Sequence, residues 1–471
     1  MSTSREERQA AWGKMTEAAF ARIDIPEAEM LKQTFTEVEA IVLEDLRKLG
    51  VQLLLTRLQA DPRSRTDRPF LCTGCGKALR IQEEAQVRRL ETVIGEVEYR
   101  RPYGVCDRCR IGYAPLDGGL GIPVTGGSVG RTERVCHAAV SARSFESAAE
   151  ILREHDGIDL SAKQTRIISE AEGERLVQER QQEVEAFRKR KLSFAETPPV
   201  ELLVVTADGG RVQTRQRANG TAWREDKIGA VYDAIPRRNP AASSADHYEG
   251  AKARQKTYVA SMTAWDEFGW MLCVEAMRRG YERARSKLFI SDGAVVLREL
   301  RRMHFPDAIF ILDWFHAVEH LADAAQAAYG DASQTWYEQL KDQLWQGEVA
   351  AISHSLEKES MRLGKPAPKE PENSPKVVLH RNCGYFADNR DGMNYPKFRS
   401  EGWPIGSGIA ESAVKQFGLR LKGTEKFWNG FGFGMGAEEM LALCAQYLSE
   451  DDRWEAHWKR RSSPYTKRLA T

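Results

Sequence analysis

The chain has 471 residues, which is more than one ordinary domain holds, and its 42% hydrophobic content is ample for roughly two to four compact units. Its 69 basic and 68 acidic residues nearly cancel, so any polyanion site must come from local clusters of charge. No stretch approaches the ~20 consecutive apolar residues of a membrane span, and the polar N-terminus lacks the apolar region of a signal peptide. We therefore expect a soluble cytoplasmic protein without a membrane partner.

The first predicted unit is a helical region over residues 1–65. Within it, residues 27–59 carry apolar side chains with a helical period and form one amphipathic helix or two. The apolar face of such a helix suits packing or dimerisation rather than chemistry.

Four of the eight cysteines form two pairs, Cys72 with Cys75 and Cys106 with Cys109, and 30 residues separate the pairs. Two residues between thiolates let both sulfurs turn toward one ion, and two such knuckles complete the tetrahedral shell of structural zinc. The alternatives are two disulfides or four unrelated thiols, and reducing conditions disfavour the disulfides. We expect one structural Zn²⁺, in a closed shell with no position left for catalysis.

The stretch between the two knuckles alternates in polarity, is rich in Val, Ile and Tyr, and has a glycine at its centre. This pattern predicts a hairpin and hence a zinc ribbon over residues 66–125. The other four cysteines stand alone in the sequence and are expected to be buried as small apolar residues: Cys136, Cys273, Cys383 and Cys444.

Residues 126–195 form a helical region that resembles a helix-turn-helix. Gly157 and Asp159 mark a turn, and Ser161 is the predicted cap of the second helix. The pattern fits a DNA-reading motif and a plain helical hairpin equally well. The prolines near residue 198 end the charged continuation of this helix, so a new domain begins there.

From Glu201 onward the sequence predicts a mixed sheet covered by helices. Three consecutive strands are expected at "ELLVVTADGG", "TYVASMTAW" and "GWMLCVEAM". They are followed by a strand at "KLFISDG", a helix at "AVVLRELRRM" and a strand at "DAIFILDWFH". This order is that of an RNase H-like α/β domain, in which the first and fourth strands are neighbours.

Two of these strands end in an acid followed by glycine. Asp208 ends the first apolar run and Asp292 the fourth, so their carboxylates should emerge side by side. A third acid, Glu411, lies on a helix after Gly408, whose buried face recurs at steps of three and four residues. That face consists of Ala410, Ala413, Val414, Phe417 and Leu421.

A helix packed on the sheet by this face could aim Glu411 at the two aspartates. The alternative is a solvated Glu411–Lys415 ion pair at helical spacing, worth a few tenths of a kcal/mol. Three carboxylates together would suit two Mg²⁺ or Mn²⁺ ions, which stabilise charge on the attacking and leaving oxygens of a phosphodiester. In that arrangement Asp208 bridges both ions, and Asp292 and Glu411 each hold one.

Three segments resemble the acid blocks of DDE transposases of bacterial insertion sequences, in the Kra and Lre groups related to Mutator-like elements. They are "VVTADGGRVQTR", "ISDGAVVLRELRRMHFPDAIFILDWFHAVEHL" and "PIGSGIAESAVKQFGLRLKG", and "YGVCDRCRIGYAPLDGGLGIP" resembles the ribbon and exit loop of the same group. The resemblance covers roughly residues 70–430. It implies an RNase H-like core at 196–316 and 405–471, with a C-terminal tail, interrupted by an all-helical insertion at 317–404.

The resemblance also assigns roles to residues. It implies a catalytic triad of Asp208, Asp292 and Glu411, with Asp313 and His316 as an accessory D-x-x-H motif. Asp313 is the rival for second acid because it also ends a strand. Asp292 is preferred because the fourth strand is next to the first.

DNA contacts must come from local basic patches. Eight Lys or Arg and three acids lie between residues 278 and 302, and "RLKGTEKFW" and "HWKRRSSPYTKR" place basic groups next to aromatics. This mixture suits phosphate contacts and base stacking, although charged helix faces are usually only solvated. The predicted DNA-binding residues are Arg298, Arg301, Lys415, Arg420, Lys422 and Trp428.

Three functional classes follow. A transposase would bind the ends of its element, cut there, join the 3′ hydroxyl to double-stranded target DNA, and act as a homodimer or higher oligomer. A host nuclease of the same fold would only hydrolyse DNA, and a zinc-ribbon regulator would bind DNA with an unused site. The presence of all three acids counts against the regulator.

Overall fold

The computed structural model has a mixed α/β architecture, and its chain divides into two compact units. The first consists of residues 1–169 and 453–471, and the second of residues 170–452. No helix in the described part of the chain is long and apolar enough to cross a membrane. The structure describes residues 5–72, 74–196, 198–218, 221–238, 242, 244–423, 426–429 and 436–464.

The first unit begins with three helices, α1 (Arg5–Ile23), α2 (Glu27–Met30) and α3 (Phe35–Ala60). The predicted helical stretch 27–59 is therefore two helices. The longer helix, α3, has Thr34 as its N-cap. The Thr34 side chain accepts a hydrogen bond from the Glu37 N–H, and the Glu37 carboxylate accepts one from the Thr34 N–H. This capping box satisfies backbone donors that would otherwise be free at the helix start.

The predicted hairpin between the cysteine pairs is confirmed. Strands β1 (Arg80–Thr92) and β2 (Gly95–Val105) are antiparallel, and the short β3 (Gly112–Tyr113) extends the sheet. The chain turns where Thr92 pairs with Gly95. Apolar side chains of β1 and β2 pack with Leu58 of α3 and with Leu116 of α4 (Pro115–Leu120) in a small core.

Three helices follow in the next region, α5 (Val129–Ser141), α6 (Phe145–Ile151) with a π-helical turn, and α7 (Ala162–Arg188). The cap at Ser161 is confirmed, because its hydroxyl accepts from the Gln164 N–H at 3.2 Å. The single helix expected before this cap is broken, since Ser144 starts α6 by accepting from the Ser147 N–H.

The C-terminal end of the chain also belongs to the first unit. Helix α17 (Arg453–Arg461) packs against α5 and contributes the buried Trp454 and Trp458. The predicted segment 405–471 is thus divided between the two units.

The second unit is built on a five-stranded sheet with the spatial order β6-β5-β4-β7-β8. The first three strands in the chain are antiparallel, and β7 and β8 run parallel to β4. The first and fourth strands of this sheet are neighbours, as the sequence predicts. The strands are β4 (Leu202–Ala218), β5 (Thr221–Ile235), β6 (Lys252–Ser261), β7 (Ser286–Ser291) and β8 (Ile309–Leu312).

One predicted strand is a helix, and one strand of the sheet was not predicted. The run "GWMLCVEAM", expected to be a strand, lies inside helix α8 (Trp265–Arg278), where most of its side chains are buried. The true second strand is β5, which the sequence analysis did not predict. Because β5 pairs with β4 well past Asp208, that residue lies within its strand and not at its end.

Helices cover the sheet and fill the long connection after β8. Residues 317–404 are helical around a loop at 364–374 that contains the Pro-rich stretch. The helices are α9 (Val295–His304), α10 (Trp314–Tyr329), α11 (Gln334–Trp345), α12 (Val349–Leu363), α13 (Pro375–Asp388), α14 (Tyr395–Glu401), α15 (Gly408–Leu421) and α16 (Ala437–Leu448).

Gly293, after β7, is tightly enclosed. Its φ is +81°, and a Cβ there would lie 2.6 Å from Leu312 Cδ1 and 2.8 Å from the Asn389 amide. Gly364 has a similar φ of +84°, but a Cβ built there would have no atom within 4 Å. Substitution of Gly364 therefore measures the cost of the backbone conformation without steric overlap. We predict that Gly293→Ala destabilises the protein by about 2 kcal/mol more than Gly364→Ala does, because overlap adds to the backbone strain. Equal thermal midpoints for the two variants in scanning calorimetry would contradict this.

Candidate functional site

The aspartates Asp208 and Asp292 occupy equivalent positions relative to the neighbouring parallel strands β4 and β7. Thr206 of β4 pairs with Ile290 of β7, and Asp208 and Asp292 each follow two residues later. Both aspartates are half-buried. The Asp208 Oδ1 accepts from the Gly209 N–H at 2.7 Å, and the Asp292 Oδ1 from the Ala294 N–H at 2.9 Å.

Helix α15 packs across β4 and β5 and carries Glu411 in its first turn. Its predicted apolar face is confirmed, since only Val414 of that set is less than fully buried. Glu411 is half-buried and Lys415 is exposed. Both residues are described, and their charged groups are more than 4 Å apart. The Glu411–Lys415 ion pair, which was the alternative to a metal-binding role for Glu411, is therefore not formed.

Asp313 is fully buried and saturated with hydrogen bonds. Its Oδ1 accepts from the N–H groups of Phe315 and His316 at 2.7 and 3.1 Å, which caps the start of α10. Its Oδ2 accepts from the Ser407 hydroxyl at 2.5 Å and from the Ser407 N–H. Burial acts to raise the pKa of Asp313, but its hydrogen bonds with His316 and Ser407 outweigh this and lower the pKa.

The accessory residues lie beside Glu411. Ligand atoms of Asp313, His316 and Glu411 all lie within 4.8 Å of one another, a grouping that could hold a metal ion. The Asp313 carboxylate, 3.6 Å from the His316 Nδ1, raises the pKa of His316 to about 9.

The predicted triad shares one electrostatic environment. Burial raises the pKa of Asp208, and the charges of Asp292 and Glu411 raise it further, while His316 opposes them. The described residues include no grouping of Asp208, Asp292 and Glu411 with ligand atoms within 4.8 Å of one another, so these acids influence one another's charge over longer distances. Acids that repel one another in this way gain from a bound cation.

The acids differ in their remaining capacity to bind a cation. A carboxylate has about four lone-pair sites. The four protein donors around Asp313 leave it little capacity for a metal. Within the described part of the chain, Asp208 and Asp292 each accept one hydrogen bond and the Glu411 carboxylate accepts none. These three carboxylates therefore keep more free oxygen lone pairs than Asp313 does, and oxygen donors suit Mg²⁺ or Mn²⁺.

Two residues that hydrogen-bond to the predicted site residues were not predicted from the sequence. Ser407 could have been found from its place directly before α15, where a polar cap is expected. Tyr385 of α13 donates its hydroxyl to the Asp292 carbonyl at 2.8 Å and stacks on the His320 ring with centroids 3.7 Å apart. Nothing local in the sequence indicates the Tyr385 contact, because it joins residues 93 positions apart.

A fourth acid, Asp226, was also missed. It lies on β5 opposite Gly210, on the same face of the sheet as Asp208, and is 1% exposed. A Cβ on Gly210 would come within 2.6 Å of its carboxylate, so the glycine makes room for it. Burial raises the pKa of Asp226, and the charge of Lys422 opposes this rise.

The four paired cysteines meet at one point of the first unit. Their sulfurs lie within 4.8 Å of one another, with 3.5 Å between Cys75 and Cys106. A tetrahedral zinc with Zn–S bonds of ~2.3 Å implies sulfur separations of ~3.8 Å, so the arrangement fits such an ion. All eight cysteines are free, which excludes the two disulfides.

The solitary Cys136, Cys273 and Cys444 are buried as predicted, and Cys383 is half-buried.

The two knuckles have the same backbone. In each, the N–H of the residue after the second cysteine donates to the carbonyl of the first, from Gly76 to Cys72 and from Arg110 to Cys106. Gly76 and Arg110 both have positive φ, 70° and 59°. The Cys109 N–H donates to the Cys106 sulfur at 3.4 Å and lowers the pKa of the Cys106 thiol to about 7, while the hydrogen bond with Cys75 raises the pKa of the Cys109 thiol to about 12.

Two of the predicted DNA-binding residues lie on α9, Lys415 lies on α15, and Lys422 directly follows α15. Arg298 pairs with Asp388 at 3.1 Å, and Arg301 donates to the Ala308 carbonyl at 3.0 Å. These arginines therefore hold α9 to its neighbours. Lys415 is exposed and Lys422 is half-buried, so both remain candidates for phosphate contacts.

The predictions for Arg420 and Trp428 conflict with their burial. Arg420 is 3% exposed, and burial lowers its pKa. Trp428 is 7% exposed, and its indole N–H donates to the Leu421 carbonyl at 2.9 Å. Both side chains belong to the packed interior, because the chain after α15 folds back onto β4. Residues 424–425 and 465–468 of the two predicted basic stretches lie outside the described residues.

The chain belongs to UPF0236, an uncharacterised protein family, whose profile matches residues 28–462. A comparison with curated proteins gave no match.

We predict that Ser407→Ala weakens the fold, because it removes one of the four donors to a buried carboxylate. The expected loss is about 1–3 kcal/mol of unfolding free energy. The matched control is Ser412→Ala on the exposed side of α15, where the change should stay within about 0.5 kcal/mol. Thermal and urea denaturation of the two variants measures the difference. Indistinguishable midpoints would show that the Ser407 hydroxyl does not support Asp313.

Proposed function

We propose that the protein is a DDE transposase, which binds the ends of an insertion sequence and catalyses metal-dependent cleavage and strand transfer of double-stranded DNA. The observation that carries the proposal is that Asp208 and Asp292 each follow a paired residue of the parallel neighbours β4 and β7 by two positions, with Glu411 on helix α15, which packs on β4 and β5. The sheet order, with three antiparallel strands and then two parallel ones, supports an RNase H-like core.

Each proposed ligand comes from an element with a defined position. Asp208 and Asp292 are held by the sheet, and Glu411 by a helix whose apolar face is buried. Two Mg²⁺ or Mn²⁺ ions held by these residues would stabilise charge on the attacking and leaving oxygens of the phosphodiester. Asp208 lies on the central strand β4 and is the proposed bridging ligand, while Asp292 and Glu411 each hold one ion.

Asp313 and His316 are proposed to support this site. Asp313 fixes the start of α10, which carries His316, and the residue before α15, which carries Glu411. Because its oxygens are already occupied by protein donors, Asp313 acts as a positioning residue and Asp292 remains the second metal ligand.

We predict that Asp208→Asn, Asp292→Asn and Glu411→Gln each reduce DNA cleavage and joining by orders of magnitude while the fold and DNA binding survive. Each change keeps size and removes the charge that holds a cation. Mn²⁺ binding, followed by electron paramagnetic resonance, should weaken in parallel. Glu299→Gln, on the exposed surface of α9, is the matched control and should retain full activity.

The assay requires inverted repeats to be found in the DNA on either side of the gene, and it uses DNA that carries them, with a second DNA as target. A transposase joins the cut 3′ end to the target, whereas a nuclease of the same fold yields hydrolysis products alone. Glu411→Gln acting at the normal rate would refute the triad. Strong loss in Asp313→Asn with near-normal Asp292→Asn would make Asp313 the second acid.

We further propose that the four-cysteine site holds one structural zinc ion in a zinc ribbon, as free thiols in a reducing cytoplasm would allow. The purified protein should contain about one zinc per chain, and Cys109→Ser should lower that content. Cys383→Ser is the control, because Cys383 lies outside the cluster. Elemental analysis that finds no zinc in the wild-type protein would overturn this assignment.

A further inference from the structure

Helix α3 presents an apolar stripe to solvent. Its opposite face packs into the small core beneath the hairpin through Leu54, Leu55 and Leu58. At 100° per residue, Phe35, Val42, Leu46 and Leu53 lie within about 40° of one another around the helix. The exposed stripe consists of Phe35 (77% exposed), Val38 (37%), Val42 (37%), Leu43 (56%), Leu46 (57%) and Leu53 (55%).

The stripe is long and continuous. A helix of 26 residues extends ~39 Å at 1.5 Å per residue, and the apolar side chains run along most of it. Single apolar residues at a surface are ordinary, but a contiguous row of this kind marks an interaction site.

Two opposite charges lie within this stripe and indicate what covers it. Glu39 and Arg57 are 18 residues apart, which is five turns at 3.6 residues per turn, so they occupy the same line along the helix. Both are exposed, and Arg57 makes a 3.6 Å ion pair with Asp61 at its own end of α3. The acidic group lies toward the start of the stripe and the basic group toward its end.

An antiparallel copy of the same helix complements this charge pattern. With Glu39 of one copy facing Arg57 of the other, the same register sets Leu43 opposite Leu53 and Leu46 opposite Gly50. Gly50 has no side chain, and the Ile94 side chain of the hairpin turn lies 3.4 Å from the position of a Cβ there, so the facing leucine would meet Ile94 as well as the helix backbone. A twofold axis repeats each contact, as an isologous interface requires. Parallel pairing in register would instead oppose Glu39 to Glu39 and Arg57 to Arg57.

We propose that two copies of the chain dimerise through α3, with the helices antiparallel and Glu39 of each facing Arg57 of the other. The interface belongs to the first unit and does not depend on the proposed catalytic function.

The first test measures the mass of the full-length protein by light scattering and sedimentation. The wild-type protein should be a dimer at micromolar concentration, and Leu46→Glu should be a monomer, because the charge would be buried in the centre of the interface. Val87→Glu, a similarly exposed apolar residue on β1, is the control and should remain a dimer. A monomeric wild-type protein or a dimeric Leu46→Glu variant would overturn the proposal.

The second test distinguishes self-pairing from a different partner. Glu39→Arg alone and Arg57→Glu alone each place like charges opposite one another, so each should weaken dimerisation about tenfold. An equimolar mixture of the two variants restores both opposite-charge pairs and should form heterodimers as tightly as the wild-type protein.

The control for charge reversal is Lys48→Glu. Lys48 lies on the same helix, away from the stripe, and makes a comparable ion pair with Glu44. It should leave the dimer unchanged, and circular dichroism checks that all variants keep their helices. If the mixture associates no better than either variant alone, the antiparallel register is wrong.

Discussion

The buried carboxylate of Asp313 is the contact on which the site of the second unit depends. Its own N–H donates to the Ser291 carbonyl at 2.8 Å at the end of β7, while its side chain caps α10 and holds Ser407 before α15. One residue thus joins two parallel strands and two helices. A buried charge is tolerated only when it is paired or fully hydrogen-bonded, and this one receives four donors.

Features encoded by short-range spacing could be predicted from the sequence. The two cysteine knuckles, the hairpin between them and the apolar face of α15 all follow from intervals of two to four residues. The adjacency of β4 and β7 also follows, because the predicted order of strands restricts which of them can be neighbours. The site prediction was therefore strongest for Asp292, which directly follows its strand, and for Glu411, in the first turn of its helix.

Features decided by tertiary context were not predictable. The run at 269–277 is apolar enough for a buried strand, and a short apolar run does not distinguish a strand from a helix packed on all sides. Strand β5 carries four consecutive charged residues at 224–227 and is a strand because β4 and β6 pair with it on either side. Arg420 and Trp428 lie in a stretch of basic and aromatic residues, which predicted that they are exposed. They are buried because the chain after α15 returns to the sheet.

The helical insertion returns the chain to the sheet between the segments that carry the proposed metal ligands. Residues 317–404 separate β8 from α15, yet the insertion returns to the sheet at the ends of two strands. The Tyr385 hydroxyl donates to the Asp292 carbonyl at 2.8 Å, and the Tyr395 hydroxyl to the Leu312 carbonyl at 3.0 Å. These bonds satisfy carbonyls where β7 and β8 end and hold the backbone that carries the acids. The insertion is therefore part of the support for the site, and changes within α13 should affect Asp292 before they affect Asp208.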